Sequence, residues 1–328
     1  MSDTILVPGG AGYVGSHVCL ALSEAGFRPV VYDDLSNGHE AFVQWGPLEQ
    51  GDIRDRDRLD DVIARHRPRA VLHFAGLIEV GASVKDPGAF YDINVGGSIT
   101  LINAARRGGV DAMVFSSTCA TYGGPERVPM DEGHPQQPLN PYGRSKLQVE
   151  QFLADLSLYA GFRSVCLRYF NAAGADEAGR IGERHTPETH AIPLAIQAAL
   201  GQRDAFTIFG QDYQTRDGTA VRDYVHVSDL ADAHVKALRY LLDGGQTTSI
   251  NLGTGQGTTV AELIEAIRRE SGRSLSVKIA DRRPGDAPEL VADNRRALEI
   301  LAWRPQRSLD DIVRSALAWH LAEAERQA

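Results

Sequence analysis

The segment TILVPGGAGYVGSHVCLALSEAG, residues 4–26, indicates the fold class more clearly than any other part of the sequence. TILV has the character of a short buried strand, and the apolar residues after Gly15 recur at the i, i+3, i+4 spacing of a helix. Between the two lie Gly9, Gly12 and Gly15. Small residues here let the backbone turn tightly and approach a pyrophosphate, whose charge a helix N-terminus favours. The stretch predicts the first strand, turn and helix of a dinucleotide-binding fold.

The rest of the first half repeats this alternation. Buried-strand character is also found in PVVYDD (29–34), RAVLHFAG (69–76), DAMVFSST (111–118) and SVCLRYFN (164–171). Because helical patterns separate these runs, we predict an α/β fold with a Rossmann-type, doubly wound parallel sheet in residues 1–175. Beyond about residue 175, loops rich in Gly, Pro and Asp alternate with helices near 190–200, 228–242, 258–271 and 308–325. This half, 176–328, predicts a smaller C-terminal α/β substrate lobe, with segments near 219–245 returning to the first domain.

Composition narrows the class of protein. The net charge of −9 over 328 residues argues against a nucleic-acid-coating role, which needs an extended positive surface. The three cysteines lie far apart without a CxxC motif, which is typical of small buried side chains in a reducing compartment. The segment MSDTILVPGG lacks the features of a signal peptide, and no apolar run approaches the ~18 residues of a membrane span. We expect a cytoplasmic protein without a membrane, nucleic-acid or metal partner.

Polar residues at strand ends indicate which dinucleotide is bound. Asp33 ends the second strand, where a carboxylate accepts hydrogen bonds from an adenosine ribose and repels a 2′-phosphate. This pattern favours NAD over NADP. In GDI (51–53), Asp52 and Ile53 are predicted to flank the adenine, and HFAG (73–76) is predicted to pass close to the cofactor.

The candidate catalytic pair lies in PYGRSK (141–146), where Tyr142 and Lys146 are four residues apart on a helical pattern and so share one face. A free tyrosine has a pKa near 10, and a nearby ammonium together with a positively charged nicotinamide would favour the phenolate. Lowering the pKa by about three units requires roughly 4 kcal/mol. The hydroxyl-rich run SSTCATYGG (116–124) lies between the glycine turn and this pair. Its Cys119 is expected to be a filler and not a nucleophile.

GGAGYVG, Asp33, GDI, HFAG, SST and YGRSK together resemble the extended short-chain dehydrogenase/reductase superfamily. Within it the chain resembles the UDP-glucose 4-epimerase family. The resemblance runs from the first strand to about Trp303, through LRYFNAAGA, PETHAIP, IFGQDY, DGTAVRDYVHVSDLA, INLGTG and RRPGDAPELVAD.

The resemblance implies a reaction without net redox change, in which NAD stays bound. Tyr142 would take the proton of the sugar 4-hydroxyl while hydride passes from C4 to the nicotinamide, and a transient 4-keto sugar would turn over in the site. Lys146 would hold the nicotinamide ribose, and Thr118 would hydrogen-bond the 4-oxygen. The implied partners are a UDP-sugar and a second copy of the chain, packed as a homodimer through a four-helix bundle.

The same resemblance assigns further site residues. Those expected at the cofactor are Gly9, Gly12, Tyr13, Val14, Gly15, Asp33, Asn37, Asp52, Ile53, Phe74, Ala75, Gly76, Asn94, Ser117, Tyr142, Lys146, Tyr169 and Phe170. Those expected at the substrate are Thr118, Tyr142, Asn171, His190, Thr207, Ile208, Phe209, Arg222, Arg283, Asp286 and Leu290.

The chain also departs from the family pattern. Pro8 replaces a threonine before the glycines, and we expect the turn to survive. Ile78 and Glu79 stand where some members carry a lysine that reaches the cofactor phosphate, which predicts weaker retention of NAD. Leu290 stands where a tyrosine restricts the site to unsubstituted hexoses and a small residue admits N-acetylated ones. UDP-glucose/UDP-galactose, UDP-GlcNAc/UDP-GalNAc and UDP-xylose/UDP-arabinose thus stay open as substrate pairs.

Three other functions are disfavoured. A nucleotide-sugar 4,6-dehydratase needs carboxylates where this chain has Cys119 and Ala120. A UDP-glucuronate epimerase or decarboxylase needs a partner for the sugar carboxylate, which Leu290 and its neighbours do not suggest. A non-catalytic NAD-sensing protein typically loses the Tyr–Lys pair that this chain keeps.

Overall fold

The computed structural model describes residues 3–283 and 286–327. Residues 1–2 and 328, at the ends of the two predicted lobes, and residues 284–285 of RRPGDAPELVAD therefore lie outside the described residues. The strands are β1 (Thr4–Pro8), β2 (Arg28–Asp33), β3 (Leu48–Gln50), β4 (Ala70–His73), β5 (Ala112–Thr118), β6 (Arg163–Tyr169), β7 (Asn171–Ala173), β8 (Phe206–Phe209), β9 (Val221–Arg222), β10 (Tyr224–His226), β11 (Thr248–Leu252), β12 (Thr258–Thr259), β13 (Val277–Ala280) and β14 (Glu289–Leu290).

The α-helices are α1 (Tyr13–Glu24), α2 (Arg56–His66), α3 (Val80–Lys85), α4 (Pro87–Phe90), α5 (Ser98–Arg107), α6 (Pro141–Ala160), α7 (Ala191–Ala199), α8 (Val227–Leu242), α9 (Val260–Ser271), α10 (Arg295–Leu301) and α11 (Leu309–Gln327). A π-helix covers Tyr91–Gly97, and short 3-10 turns cover Glu40–Phe42 and Cys119–Thr121. Among the described residues, no helix is both long enough and apolar enough to cross a membrane.

The main sheet has seven parallel strands in the order β11-β6-β5-β4-β1-β2-β3. The strand order reverses between β1 and β4, and in open α/β sheets ligands bind at the carboxyl ends of the strands at such a switch point. The predicted doubly wound parallel sheet is confirmed. The glycine turn after β1 and the HFAG loop after β4 therefore meet at the place where a ligand is expected.

Strand burial explains why helices cover both faces of this sheet. Ile5 and Val7 of β1 pack into one apolar core, and Leu6 between them packs into a second core on the opposite face. Because successive side chains of a strand point to opposite faces, a fully apolar strand needs a cover on each side. Helices α1, α8 and α10 supply one cover, and α2, α5 and α6 supply the other.

The C-terminal half builds smaller sheets. β10 pairs with β7, β13 pairs with β8, and β9 lies between β12 and β14. A third apolar core joins α7, α9 and α11 around these strands. The segment 225–252 packs with the main sheet, since α8 contacts α1 and β11 extends the sheet beside β6. The division of the chain at residue 175 stays a prediction.

Candidate active site

The glycine turn after β1 is packed too closely for side chains at two positions. Gly9 has φ +80°, and a Cβ on it would lie 2.4 Å from the backbone nitrogen of Ala75 in the loop after β4. A Cβ on Gly15 would lie 2.2 Å from the carbonyl oxygen of Gly9. Pro8 does not disturb the turn, because its carbonyl still accepts hydrogen bonds from the N–H groups of Phe74 and Ala75.

The N-terminus of α1 lies at the same turn and has no side-chain cap. Gly12 is its N-cap residue and provides no side-chain hydrogen bond to the first turn. The first N–H groups of a helix have no acceptor within the helix, and together with the helix dipole they favour an anion. Gly12, Tyr13, Val14 and Gly15 all line a cavity of about 330 Å³. The geometry suits a pyrophosphate.

Asp33 lies at the end of β2 and lines this cavity. Its Oδ2 accepts the N–H of Ala11 at 3.0 Å and its Oδ1 accepts the N–H of Leu35 at 2.9 Å. These bonds orient the carboxylate, and each oxygen keeps a second lone pair for a ligand hydroxyl. Burial raises the pKa of Asp33 despite the two backbone bonds. The position fits the predicted ribose contact.

Asp52 and Ile53 line the cavity as predicted, with one difference. The carboxylate of Asp52 is held by the guanidinium of Arg54, whose nitrogens also reach Asp92. Hydrogen bonds from Arg54 lower the pKa of Asp52. An adenine amine at this position would therefore share Asp52 with Arg54, a partner that the sequence pattern did not indicate.

Asn94 is fully enclosed and does not line the cavity. Its Oδ1 accepts the N–H of Leu77 at 2.8 Å, and its Nδ2 donates to the carbonyl of Leu77 at 3.0 Å and to Oγ of Ser145 at 3.1 Å. These bonds show Asn94 as a brace, and its direct contact with the cofactor stays a prediction. Asn94 ties the loop after β4 to helix α6, and so fixes the distance between the cofactor loop and the catalytic helix.

Tyr142 and Lys146 lie one turn apart at the start of α6, and both face the cavity. Asn140 caps this helix by accepting the N–H of Gly143 at 2.8 Å. The Nζ of Lys146 donates to the carbonyl of Ser116 at 3.0 Å and lies 4.9 Å from the centre of the Phe115 ring. The lysine is thus anchored to β5, the strand that carries the hydroxyl-rich run.

Burial dominates the acidity of the pair. It lowers the pKa of Lys146 to about 8, against the opposing charge of Glu150. It also raises the pKa of Tyr142 above its ordinary value, and the nearby Tyr169 adds to this while the hydroxyl of Thr118 opposes it. That Lys146 and a positively charged nicotinamide together favour the phenolate stays a prediction. Desolvation of the Tyr142 side chain opposes the phenolate, and such a pair of cations would have to overcome it.

The hydroxyl groups of β5 point to alternate faces of the strand. Ser116 and Thr118 line the cavity, whereas Ser117 points to the opposite face and donates to Oε1 of Glu150. The expectation that Ser117 lines the cofactor pocket is therefore wrong in orientation, and Ser116 takes that place. Oγ1 of Thr118 accepts the N–H of Ala120 at 3.1 Å, and its hydroxyl lies next to that of Tyr142, where it opposes the rise in the pKa of Tyr142.

The buried face of Ser117 belongs to a polar network beneath the site. Arg168 forms an ion pair with Glu150, and its Nη1 donates to the Tyr122 hydroxyl at 3.0 Å. Both charged side chains are at most 6% exposed. The network holds the end of β5 on the face opposite the cavity, and this fixes Thr118 on the cavity side.

Most of the site residues predicted in the first half of the chain line the cavity. Its lining includes Gly9, Gly12, Tyr13, Val14, Gly15, Asp33, Asn37, Asp52, Ile53, Phe74, Ala75, Gly76, Thr118, Tyr142, Lys146, Tyr169, Phe170, Asn171 and His190. Ile78 and Glu79, which replace the lysine of some relatives, also line it.

The remaining predicted substrate residues lie on the small sheets of the C-terminal half, beyond the lining of this cavity. Thr207, Ile208 and Phe209 belong to β8, and the guanidinium of Arg283 stacks 3.8 Å from the centre of the Phe209 ring. These contacts bring an aromatic ring and a cation together, as a nucleotide base and phosphate require.

Arg222 and Asp286 form an ion pair, and Arg222 also donates to the carbonyl of Ala287 at 2.9 Å. Leu290 pairs with Arg222 in the small sheet and packs near Phe170 and Cys119. Because Phe170 lines the cavity and Cys119 follows Thr118, this second group adjoins the Thr118 side of the cavity.

His190 has an environment that the sequence pattern did not reveal. Its Nδ1 lies 2.8 Å from Oε1 of Glu183 and 2.8 Å from Oε1 of Glu188. Burial opposes its charge, yet the two carboxylates raise the pKa of His190 to about 10. Glu183 and His185, which line the cavity, come from a loop without helical or strand periodicity. Only their contacts in the folded chain identify them.

The cysteines carry no nucleophile. Cys19, Cys119 and Cys166 are free thiols, and burial raises the pKa of Cys119 to about 12. Since the thiolate is the reactive form, this raised pKa disfavours Cys119 as a nucleophile near neutral pH. Ala120 beside it has no ionisable group.

A switch-point cavity with an open helix N-terminus, a strand-end aspartate and a Tyr–Lys pair defines a dinucleotide-dependent enzyme of the short-chain dehydrogenase/reductase type. Residues 5–253 match the NAD dependent epimerase/dehydratase family. The chain belongs to that family. It is similar to the UDP-glucose 4-epimerase of Rhizobium meliloti (strain 1021), at 64% identity over 319 residues covering 97% of each chain.

Two solved structures have the same fold over nearly the whole chain. The UDP-glucose 4-epimerase from Brucella ovis in complex with NAD has a TM-score of 0.95 and 48% identity, over 97% of this chain and 98% of that one. The UDP-glucose-4-epimerase from Stenotrophomonas maltophila, with bound NAD and formylated UDP-arabinopyranose, has a TM-score of 0.97 and 41% identity, over 99% and 100%. These similarities confirm the resemblance and the predicted fold class.

Proposed function

We propose that the chain is an isomerase that interconverts UDP-glucose and UDP-galactose with tightly bound NAD, through a transient 4-keto sugar. The observation that carries this proposal is the placement of Thr118, Tyr142 and Lys146 in one cavity with the glycine turn. The identity of 64% to a relative named UDP-glucose 4-epimerase supports it independently.

The cofactor residues fit NAD on three counts. The uncapped N-terminus of α1 at Gly12 suits its pyrophosphate, the oriented carboxylate of Asp33 suits the adenosine ribose, and Ile53 offers an apolar wall. NAD, when bound, would accept two electrons and a hydrogen from C4 of the sugar and return them. Lys146 would hold the nicotinamide ribose, since its Nζ lies between Ser116 and the loop after β4.

Tyr142 would move the proton. Its raised pKa means that the protein alone keeps the phenol protonated, so removal of the sugar 4-hydroxyl proton requires a further cation near the ring. Thr118 would donate its hydroxyl hydrogen to the sugar oxygen, in place of its present neighbour Tyr142, and hold that oxygen beside Tyr142. After the keto sugar has turned over, Tyr142 would return the proton to the same oxygen.

The environment of Thr118 limits what else can happen. A dehydratase must also remove the C5 proton and expel the C6 hydroxyl. Cys119, with a thiol pKa of about 12, and Ala120 offer no acid or base for those steps. We therefore propose that the sugar keeps all its hydroxyl groups and changes only its configuration at C4.

The substrate would bind through Asn171, His190 and the group on the small sheets. Arg222 and Arg283 would face the diphosphate, Asp286 the uridine ribose, and Thr207, Ile208 and Phe209 the uracil. The present partners of the cations, Asp286 for Arg222 and Phe209 for Arg283, would have to share them with the ligand.

Leu290 does not decide the sugar. It packs against the apolar cluster that contains Phe170, so a larger or smaller side chain there would change the space next to the cavity. UDP-GlcNAc/UDP-GalNAc and UDP-xylose/UDP-arabinose are the alternative pairs. Incubating the purified protein with all three pairs and following the anomeric protons by NMR identifies the substrate, and equilibration of only a non-glucose pair would replace the proposed one.

Tyr142→Phe tests the proton step. We expect turnover of UDP-galactose to fall at least 10²-fold, as removal of a general base typically does, with the UDP affinity retained. The matched control is Tyr159→Phe on the same helix, whose side chain is 81% exposed and which should behave as wild type. Unchanged turnover in Tyr142→Phe would contradict the assignment.

We also propose, from the family resemblance, that the enzyme is a cytoplasmic homodimer. Light scattering on the purified protein measures its mass directly, and a monomer at micromolar concentration would contradict the dimer.

A further inference from the structure

The loop between β7 and α7 carries a cluster of four ligand-type side chains at the wall of the cavity. Glu183, His185, Glu188 and His190 each place one donor or acceptor atom within 4.8 Å of the others. The sequence assigned a role to His190 alone among them. The cluster therefore raises the question of what the two carboxylates do.

The fold holds the main chain of Glu183 and the carboxylate of Glu188 in place. The carbonyl of Glu183 accepts the indole N–H of Trp319 at 2.9 Å, and its side chain is 6% exposed. Oε1 of Glu188 accepts the N–H groups of Thr189 and His190, each at 2.7 Å, at the start of α7. The carboxylate of Glu188 therefore cannot leave His190 without losing two backbone hydrogen bonds, and the main chain of Glu183 is anchored beside the ring.

The two carboxylates fix which nitrogen of His190 bears a hydrogen. Nδ1 lies 2.8 Å from an oxygen of each carboxylate, and a lone pair there would meet two negative charges. Nδ1 must therefore be the N–H. The ring is 41% exposed and lines the cavity, and Nε2 has no hydrogen bond to the described residues. With Nδ1 occupied, Nε2 is the ring nitrogen available to a ligand.

We propose that Glu183, with Glu188, is a positioning residue that keeps His190 an imidazolium and presents its Nε2–H as a donor to the diphosphate of the nucleotide sugar. This inference rests on the proposed function for the identity of the ligand. A neutral imidazole with its hydrogen on Nδ1 would offer a lone pair at Nε2 and repel an anionic oxygen. The carboxylates thus convert the free nitrogen from an acceptor into a charged donor, which binds anions more strongly.

Three other titratable side chains near the cluster, Tyr13, His320 and Arg184, do not supply the positive charge that is assigned to His190. Tyr13 of α1 faces His185 edge-on at 6.4 Å, and burial raises its pKa, so it stays neutral. Burial lowers the pKa of His320 on α11. The guanidinium of Arg184 pairs with Glu323 instead. His185 is the remaining basic side chain of the cluster, with its Nδ1 3.3 Å from Glu183 and its ring 4.9 Å from that of His190.

The protonation state can be measured without turnover. In the NAD-containing protein labelled with ¹⁵N-histidine, long-range ¹H–¹⁵N spectra from pH 6 to 9 should show His190 as an imidazolium throughout, and His190→Gln assigns the signal. A neutral His190 at pH 8 in a protein that turns over UDP-galactose would overturn the inference and leave the function intact. Absence of turnover on every UDP-sugar would instead contradict the proposed function.

Glu183→Gln tests the consequence for binding. We expect UDP-glucose affinity in this variant to fall about tenfold from pH 6.5 to 9.0, while the wild type changes less than twofold. Glu183→Asp should restore the flat profile, and Glu265→Gln, 66% exposed on α9, is the matched control. A flat profile in Glu183→Gln would contradict the inference. If that variant does not fold, the protonation state of His190 in the wild-type spectra tests the inference.

The same spectra distinguish a proton from a metal ion in the cluster. They are recorded after EDTA treatment and again with one equivalent of Zn²⁺. We expect the imidazolium signal in EDTA and no dependence of UDP-glucose affinity on Zn²⁺. Zinc-shifted signals of both His185 and His190, with affinity that requires the metal, would overturn the inference.

Discussion

Lys146→Met should stabilise the folded protein while it abolishes turnover. The lysine is 3% exposed, and burial lowers its pKa from the ordinary 10.5 to about 8. At 1.36 kcal/mol per pKa unit, the charged lysine costs the folded state about 3 kcal/mol at pH 7. Methionine fills similar space without a charge, so this cost disappears in the variant.

The pH dependence separates this effect from packing. A lysine with a lowered pKa in the folded state binds fewer protons than in the unfolded state between pH 8 and 10.5, so wild-type stability rises with pH in that window. By pH 9.5 the wild type should recover about 2 kcal/mol, whereas Lys146→Met lacks this rise. The stability gap between the two proteins therefore narrows as the pH increases.

The assay is urea unfolding at pH 7.0 and 9.5, followed by tryptophan fluorescence and circular dichroism. Both proteins are first freed of NAD, because a ligand that binds only the folded state would add to the wild-type stability. A gap that stays constant between the two pH values would refute the reasoning, since the cost would then not come from the lysine charge. A Lys146→Met variant less stable than wild type at both pH values would refute it as well.

Three further predictions concern the residues around the site. Gly15→Ala should lose bound NAD, because its Cβ would lie 2.2 Å from a backbone oxygen. The amount of NAD released on denaturation measures this loss, and full retention of NAD would contradict the prediction. Gly124→Ala, where a Cβ would meet open space, is the control. Arg168→Met should lower the free energy of unfolding by about 3–5 kcal/mol in urea, because Glu150 is left buried and unpaired, and a loss below about 1 kcal/mol would argue against that ion pair. Iodoacetamide at pH 8 should leave Cys119 unlabelled and turnover intact, and rapid stoichiometric labelling would contradict its raised pKa.

The sequence predicted the features that depend on local spacing. Gly9, Gly12 and Gly15 identified the turn because the strand before them and the helix after them are adjacent in the chain. Tyr142 and Lys146 identified the catalytic face because four residues make one helical turn. Where a pattern extends over neighbouring residues, the backbone geometry follows from it.

The missed features depend on contacts between distant segments. Ser117 was placed on the wrong side of β5 because the motif does not say which face of the strand meets the cavity. Glu183 contacts His190 from within a loop, and loops have no period from which side-chain directions can be read. β11 joins the main sheet beside β6 although about eighty residues separate them, a pairing that only the folded chain provides.

In the proposed reaction the C4 hydrogen of the sugar leaves and returns within one site. The most direct test is incubation of the purified protein with UDP-galactose in D₂O, without added NAD, followed by ¹H NMR of the products. We expect equilibration with UDP-glucose that carries a proton, not deuterium, at C4. Deuterium at C4, or no conversion of UDP-galactose at all, would contradict it.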